Sequence, residues 1–170
     1  MKKLKVYVGC ALTHAPQEYK DMIADFKDWL RNHNWIEVLD FVGALEGKPQ
    51  ADDAPAHIYK HDIHNCVMRA HVVVGEISYP SLGLGWELAT IIEKKRKLTI
   101  MLAQQSALVS KLPQGAVAHN KHAVFYRYVL SLKETNYTVL DMLQKEHKKI
   151  NQSLLEKWLT AVYRFLMPID

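Results

Sequence analysis

Two adjacent stretches decide the fold: HVVVGEI (71–77) and SYPSLGLGWELATIIEKK (78–95). The first is a run of β-branched residues, as found in strands that are covered on both faces of a sheet. Pro80 ends this strand, and the residues from Ser81 onward predict a helix with Ser81 as its N-cap. A buried strand that leads directly into a helix is typical of a parallel α/β sheet.

The same alternation extends in both directions along the chain. Residue type and turn signals predict strands at Leu4–Gly9, Trp35–Leu39, His71–Ile77, Lys97–Leu102 and His122–Val129. Apolar periodicity predicts helices at Gln17–Asn32, Ile58–Arg69, Ser81–Lys95, Gln104–Leu112, Lys133–His147 and Ser153–Met167. Strands that alternate with helices imply right-handed crossovers, so we expect an α/β fold with a five-stranded parallel sheet and extra C-terminal helices.

The chain divides into two expected parts. Residues 1–130 carry the α/β pattern, and residues 131–170 form a helical extension packed on the same domain. An apolar stripe in this extension covers more than one helical face, at Leu154, Leu155, Trp158, Leu159, Val162, Tyr163, Phe165 and Leu166. The stripe either packs against its own sheet or forms an interface, and we expect a homo-oligomer, a dimer or larger.

Composition narrows the class of protein. The 170 residues include 22 Lys and Arg against 18 Asp and Glu, which is too balanced for binding a nucleic-acid polymer. No apolar run approaches the roughly 18 residues of a membrane span, and no signal peptide begins the chain, so we expect a cytoplasmic protein. The two cysteines cannot form a disulfide scaffold, and the nine histidines lack a firm metal spacing. We therefore expect neither a metal nor a cofactor.

Three loops are candidates for the functional site. Ligands of open parallel sheets bind beyond the carboxyl ends of the strands, which selects residues 9–15, 40–57 and 78–85. The predicted loop from Phe41 to His57 is long for a compact domain, and long loops are often functional.

The helix that begins after Ser81 is the strongest local feature. Its free N–H groups form an anion site, and Glu87 lies about 9 Å along the axis, at ~1.5 Å per residue. Helical side chains lean toward the i−4 position, which for Glu87 is Gly83, so the carboxylate has an open path to a substrate. The alternative is that Gly83 and Gly85 permit close helix–sheet packing while Glu87 is solvated.

Asp62 and Tyr7 are two further candidates. Asp62 begins the helix before the third strand, where an acidic residue also simply complements the helix dipole. Tyr7 lies near the carboxyl end of the first strand, where a buried core tyrosine is the alternative interpretation.

Four pieces of the chain occur in an order that resembles a known superfamily. They are VYVG (6–9), IYKHD (58–62), AHVVVGEI (70–77) and, most specifically, PSLGLGWEL (80–88). Over about Lys5 to Val129 the chain resembles the nucleoside 2-deoxyribosyltransferase superfamily, which includes the 2'-deoxynucleoside 5'-phosphate N-hydrolases. The resemblance implies a flavodoxin-like three-layer α/β/α fold and cleavage of the N-glycosidic bond of 2'-deoxynucleosides or their 5'-monophosphates.

The resemblance also implies roles for individual residues. Glu87 matches the nucleophile, Asp62 the acidic partner, and Tyr7 the tyrosine that positions the nucleophile. Ser81 matches the serine that holds the 5'-phosphate, and the other matched substrate-binding positions are Gly9, Ala11, Thr13 and Gly83. A carboxylate that forms a glycosyl-enzyme, with a second group handling the proton, is the chemistry of retaining glycosidases.

The chain departs from the family pattern at three places, one of which is His71, where the family often has Asp. Asp62 stands eight positions before Ala70, one more than in the family, which in an α-helix corresponds to a rotation of about 100°. Ala11 and Thr13 replace the serine and arginine that the hydrolase branch offers to a phosphate, and the loop 10–16 contains no Lys or Arg.

Three functions remain open from the sequence. The first is an enzyme that hydrolyses the glycosidic bond or exchanges its base, depending on whether water or a second base intercepts the glycosyl-enzyme. The second is a non-catalytic nucleotide-binding module of the same fold. The third is a nicotinamide-dinucleotide domain, which the absence of a third glycine after Gly83 and Gly85 disfavours.

Overall fold

A computed structural model describes residues 2–13, 15–40 and 55–166, with side chains as far as residue 159. Most of the predicted long loop, residues 41–54, and His14 therefore lie outside the described residues. The last three residues of that predicted loop, 55–57, form the start of a helix instead.

The described elements alternate between strands and helices. The strands are β1 (Leu4–Gly9), β2 (Ile36–Leu39), β3 (Val72–Glu76), β4 (Leu98–Gln104) and β5 (Ala123–Tyr128). The helices are α1 (Gln17–Arg31), α2 (Pro55–Tyr59, continued as a π-helix over Lys60–Val67), α3 (Leu82–Ala89, continued as a π-helix over Thr90–Lys95), α4 (Lys111–His119) and α5 (Asn136–Leu166). A 3₁₀ turn at Leu132–Thr135 precedes α5.

The five strands form one parallel sheet in the order β2-β1-β3-β4-β5. This order is the flavodoxin-like one, with its switch point between β1 and β3. The fold class expected from the sequence is confirmed. Gly9 of β1 pairs with Gly75 of β3 at that switch point, where the carboxyl ends of the two strands meet.

Alternate residues of the strands supply two separate cores. On one face Val6, Val8 and Val74 pack with α1 and the first half of α5. On the other face Tyr7 and Val73 pack with α2 and α3. The two-residue period of a strand explains this division, because successive side chains point to opposite faces.

The helix expected at Gln104–Leu112 is wrong. Strand β4 continues to Gln104, and the helix begins only at Lys111, where the Ser110 side chain accepts the Leu112 N–H at 3.3 Å. The physical reason is Arg127, whose guanidinium donates to the carbonyls of residues 104, 105 and 107 at 2.9–3.2 Å. These contacts hold the segment in an irregular conformation.

The two C-terminal helices expected from the sequence are one continuous helix, α5. The charged run at residues 145–149 does not interrupt it, because Lys145 pairs with Asp141 at 2.6 Å and Lys149 with Glu146 at 3.2 Å. Ion pairs at these spacings support a helix, and residues 136–166 contain neither Gly nor Pro.

The two halves of α5 differ in their surroundings. Val139 and Leu143 are fully buried in the core, and the His147 ring stacks on Trp35 at 5.0 Å. Further along, the side chains of Leu154, Leu155, Trp158 and Leu159 are 42–61% exposed. Within the described part of the chain, no helix is both long and apolar enough to cross a membrane.

Candidate active site

A cavity of about 750 Å³ opens at the carboxyl ends of β1 and β3. Its walls come from the end of β1 with the loop that follows, from α2, and from the start of α3. Six of the predicted site residues line it: Tyr7, Thr13, Asp62, Ser81, Gly83 and Glu87. The cavity therefore joins segments that are up to 80 positions apart in the sequence, from Tyr7 to Glu87.

The start of α3 forms one wall. Ser81 has extended backbone angles, and its hydroxyl accepts the Leu84 N–H at 3.2 Å, as predicted for an N-cap. The first-turn N–H groups of a helix have no partner within the helix and carry its positive dipole end. Gly83 leaves this end of the helix open toward the cavity.

Glycines do permit α3 to pack closely against the sheet, but these glycines belong to the strands and not to the helix. A Cβ on Gly9 would lie 2.7 Å from Leu84 Cδ1 and 3.0 Å from Glu87 Oε2. A Cβ on Gly75 would lie 2.8 Å from Leu88 Cδ2, whereas one on Gly85 would meet no atom within 4 Å. Gly9 therefore lies beneath Glu87, and the interpretation of Gly83 and Gly85 as packing glycines is wrong, since a Cβ on Gly83 would meet only Ser81 Oγ, at 3.9 Å.

Glu87 is held against Tyr7. The Tyr7 hydroxyl donates a hydrogen bond to the Glu87 carboxylate, and the tyrosine itself is only 1% exposed. The pKa of Glu87 is raised to about 7, chiefly by burial and also by the charge of Asp62, while the hydrogen bond from Tyr7 opposes both. Burial likewise raises the pKa of Tyr7, which stays a protonated donor.

Asp62 faces the cavity from the π-helical part of α2. The Met68 N–H donates to the Ile63 carbonyl at 2.8 Å, five residues earlier, instead of to the i−4 carbonyl of an α-helix. A π-helical turn contains more residues than an α-helical one. It therefore compensates the additional residue between Asp62 and Ala70, and the side chain is not rotated away from the site.

The surroundings of Asp62 are polar on one side. His61 Nδ1 lies 3.1 Å from Asp62 Oδ1, and Cys66 Sγ lies 3.7 Å from the same nitrogen. Cys66 donates to the carbonyl of Asp40 at 3.2 Å, and burial raises its pKa to about 12. The thiol is therefore not a nucleophile at neutral pH.

The remaining predicted positions differ in their placement. Thr13 lines the cavity, while Ala11 is 3% exposed and is not among the lining residues. The sequence reasoning missed Tyr59 and Trp86, which line the cavity and are 50% and 63% exposed. The sequence signal for Trp86 was an aromatic residue directly before Glu87, at a position where the hydrophobic core does not need one.

A second cavity, of about 550 Å³, lies between α1 and the beginning of α5 and contains none of the predicted site residues. In the described residues, no three His, Cys, Asp or Glu side chains are grouped as metal ligands.

Comparison with known proteins gives limited similarity. No family model matches the chain. A protein of Thermofilum pendens named "Putative 2'-deoxynucleoside 5'-phosphate N-hydrolase 1" is 33% identical over 73 residues, which is 42% of this chain and 50% of that protein. This chain thus matches about half the length of its curated relative. A solved structure, the lysine decarboxylase LdcF of Francisella novicida, has a TM-score of 0.49 at 10% identity and covers 86% of this chain and 18% of that one.

Substitutions of Tyr7 and Asp62 are expected to move the pKa of Glu87 in opposite directions. Tyr7→Phe removes a hydrogen bond to the ionised carboxylate, so the pKa of Glu87 rises above about 7. Asp62→Asn removes a like charge, so the pKa of Glu87 falls. Titration of the side-chain carboxyl carbons by ¹³C NMR measures both shifts.

The control for this titration is Tyr126→Phe, which removes a hydroxyl on β5 away from the cavity. Shifts of the same sign for the two test variants would contradict the arrangement of charges described above.

Proposed function

We propose that this protein cleaves the N-glycosidic bond of 2'-deoxynucleosides or their 5'-monophosphates, with Glu87 as the nucleophile. The observation that carries the proposal is the Glu87 carboxylate, desolvated at the cavity wall, hydrogen-bonded by Tyr7 and accompanied by Asp62. The name of the Thermofilum pendens relative agrees with this reaction class.

In the first step, a Glu87 oxygen attacks the anomeric carbon of the sugar. A carbon–oxygen bond forms, the carbon–nitrogen bond breaks, and its electron pair leaves with the base. The departing base takes up a proton supplied by solvent, and Asp62, which lines the same cavity, relays this proton and so assists the departure. The product of this step is a glycosyl ester of Glu87 and a free base.

In the second step, the ester is opened at the anomeric carbon. Water releases the sugar and restores the Glu87 carboxylate, with the water proton passing to an acceptor such as Asp62. A second base produces a new nucleoside instead. Tyr7 donates its hydrogen bond to the carboxylate whenever it is ionised, which positions the nucleophile before attack and after release.

The 5' end of the substrate is assigned to Ser81 and the start of α3. A helix N-terminus and a hydroxyl group bind either a phosphate or a sugar hydroxyl. Among the described residues that line the cavity, none is Lys or Arg. Both the nucleoside and its 5'-monophosphate are therefore candidate substrates. The resemblance to the deoxyribosyltransferase superfamily supports a sugar without a 2'-hydroxyl.

Replacement of Glu87 by Gln is expected to abolish base release. The amide keeps the shape but removes the nucleophilic charge, so the rate falls by several orders of magnitude, roughly 10³-fold or more. The assay uses a panel of 2'-deoxynucleosides, their 5'-monophosphates and matched ribonucleosides, with and without an acceptor base, and measures free base. In the wild type, kcat/KM is expected to rise with pH through about 7 as Glu87 ionises.

The matched control is Glu93→Gln, which removes an exposed carboxylate further along the same helical segment. Equal turnover by wild type and Glu87→Gln would show that Glu87 is not the nucleophile. Tight nucleotide binding without any base release would favour the non-catalytic binding module, and equal turnover of ribo and deoxy compounds would refute the sugar assignment.

Substitutions of two helical glycines distinguish an effect on substrate binding from an effect on stability. Gly83→Ala places a methyl group at the cavity wall, whereas Gly85→Ala places one in open space outside the lining residues. Both changes are expected to stabilise the helix, by at most about 1 kcal/mol. Only Gly83→Ala is expected to raise the KM of the nucleoside, and an equal rise in both variants would argue against a 5' subsite at this position.

The proposal includes a homo-oligomer whose interface contains the exposed residues 154–159 of α5. Trp158 and Leu159 are 61% and 51% exposed, and exposed aromatic clusters are enriched at interfaces. The double variant Trp158→Ala/Leu159→Ala is expected to dissociate the oligomer in light scattering at micromolar concentration. Tyr137→Ala, at an 85% exposed site at the start of α5, is the control. A wild-type mass near 19.6 kDa would refute the oligomer.

A further inference from the structure

Glu76 is a buried carboxylate that the proposed reaction does not use. It ends β3 and is only 1% exposed. Its Oε1 accepts hydrogen bonds from the Ser78 hydroxyl and, at 2.9 Å, from the Tyr128 hydroxyl, while Oε2 accepts the Ser78 N–H at 3.2 Å. A buried carboxylate costs free energy unless it is hydrogen-bonded in this manner, so the position requires an explanation.

In each of these hydrogen bonds a Glu76 carboxylate oxygen is the acceptor. Ser78 Oγ accepts the Gln104 N–H at 2.7 Å, which leaves its own proton for Glu76. Every group described around the carboxylate oxygens is thus a donor. A carboxylate accepts at both oxygens, whereas a glutamine side chain also has to donate. Glu76→Gln replaces one acceptor oxygen with an amide donor, so the Ser78 and Tyr128 hydroxyls have to reverse the bonds that they donate, or a donor is left unpaired.

These bonds connect the carboxyl ends of three strands to the loop before α3. Ser78 joins Glu76 of β3 to Gln104 of β4, and Tyr128 belongs to β5. On the other side, the Tyr19 hydroxyl of α1 donates to the Glu76 carbonyl at 3.3 Å. The Tyr19 ring also packs edge-on against Tyr79 of the loop, at 4.8 Å between ring centroids.

We propose that Glu76 is a positioning residue for the 5' subsite. Acting through Ser78, it holds the loop so that Ser81, three residues later, and the first-turn N–H groups of α3 stand at the cavity wall. Glu87 is placed independently, by its contact with Tyr7 and by the packing of α3 over Gly9. Loss of the network therefore weakens binding of the 5' end while the nucleophile stays in place. The identity of the ligand rests on the proposed function, whereas the placement of the loop does not.

Amide exchange tests the placement of the loop without any ligand. The Leu84 N–H is bonded to Ser81 Oγ, so its exchange rate reports whether Ser81 keeps its cap position. Glu76→Gln and Ser78→Ala are expected to accelerate exchange at Leu84 by about tenfold, and Tyr126→Phe is expected to leave it unchanged. Tyr128→Phe is a milder variant that keeps the charge and removes one donor, in case Glu76→Gln does not fold. Unchanged exchange in all three network variants would overturn the proposal.

Steady-state kinetics test the subsite itself. The probes are thymidine and 2'-deoxyadenosine, each compared with its 5'-deoxy analogue. The network variants are expected to raise the KM of the two nucleosides about tenfold at an unchanged kcat, and to leave the KM of the analogues unchanged. Equal losses for nucleoside and analogue would mean a general structural defect and would overturn the proposal. If the wild type releases base from none of these compounds or their 5'-monophosphates, the proposed function fails, and amide exchange alone decides the role of Glu76.

Discussion

The candidate site depends on the close approach of α3 to the sheet. The strands have glycine at the paired positions Gly9 and Gly75, so no strand side chain separates them from α3. Leu84 and Leu88 of the helix occupy that space. Protein interiors are packed too densely to absorb an added methyl group without displacement. This contact is also what brings Glu87 over β1, where the hydroxyl of Tyr7 reaches its carboxylate. Removal of the contact would separate the two groups on which the proposed chemistry rests.

Three carboxylates around this edge of the sheet are stabilised in different ways. Glu76 is surrounded by hydroxyl and amide donors, and Asp62 lies beside the ring nitrogen of His61. Glu87 has the Tyr7 hydroxyl but is desolvated and faces the charge of Asp62, so its pKa is raised to about 7. A perturbed carboxyl at a cavity wall is typical of functional sites, because a reactive group is kept less well solvated than a structural one.

Local patterns predicted the element order, because hydrophobic period and turn residues act over a few neighbouring positions. The strand bounds differ from those expected by at most two residues, and Ser81 is the N-cap as expected. Errors occurred where distant contacts or ion pairs determine the conformation. Arg127 keeps the segment after β4 from forming a helix, and ion pairs stabilise α5 where the sequence predicted a break between two helices.

The sequence by itself determined the parallel α/β class and the candidate carboxylate at Glu87, because these follow from periodicity and short motifs. The strand order, which places the switch point between β1 and β3, came from the tertiary structure. Only the tertiary structure decided that Tyr7, Asp62 and Glu87 share one cavity, and that the packing glycines are Gly9 and Gly75 of the strands rather than Gly83 and Gly85 of the helix. It also decided that a π-helix keeps Asp62 on the cavity side despite an additional residue. The physical reason is that burial, desolvation and close contact are properties of groups distant in the chain, which acquire them only when the helices pack against the sheet.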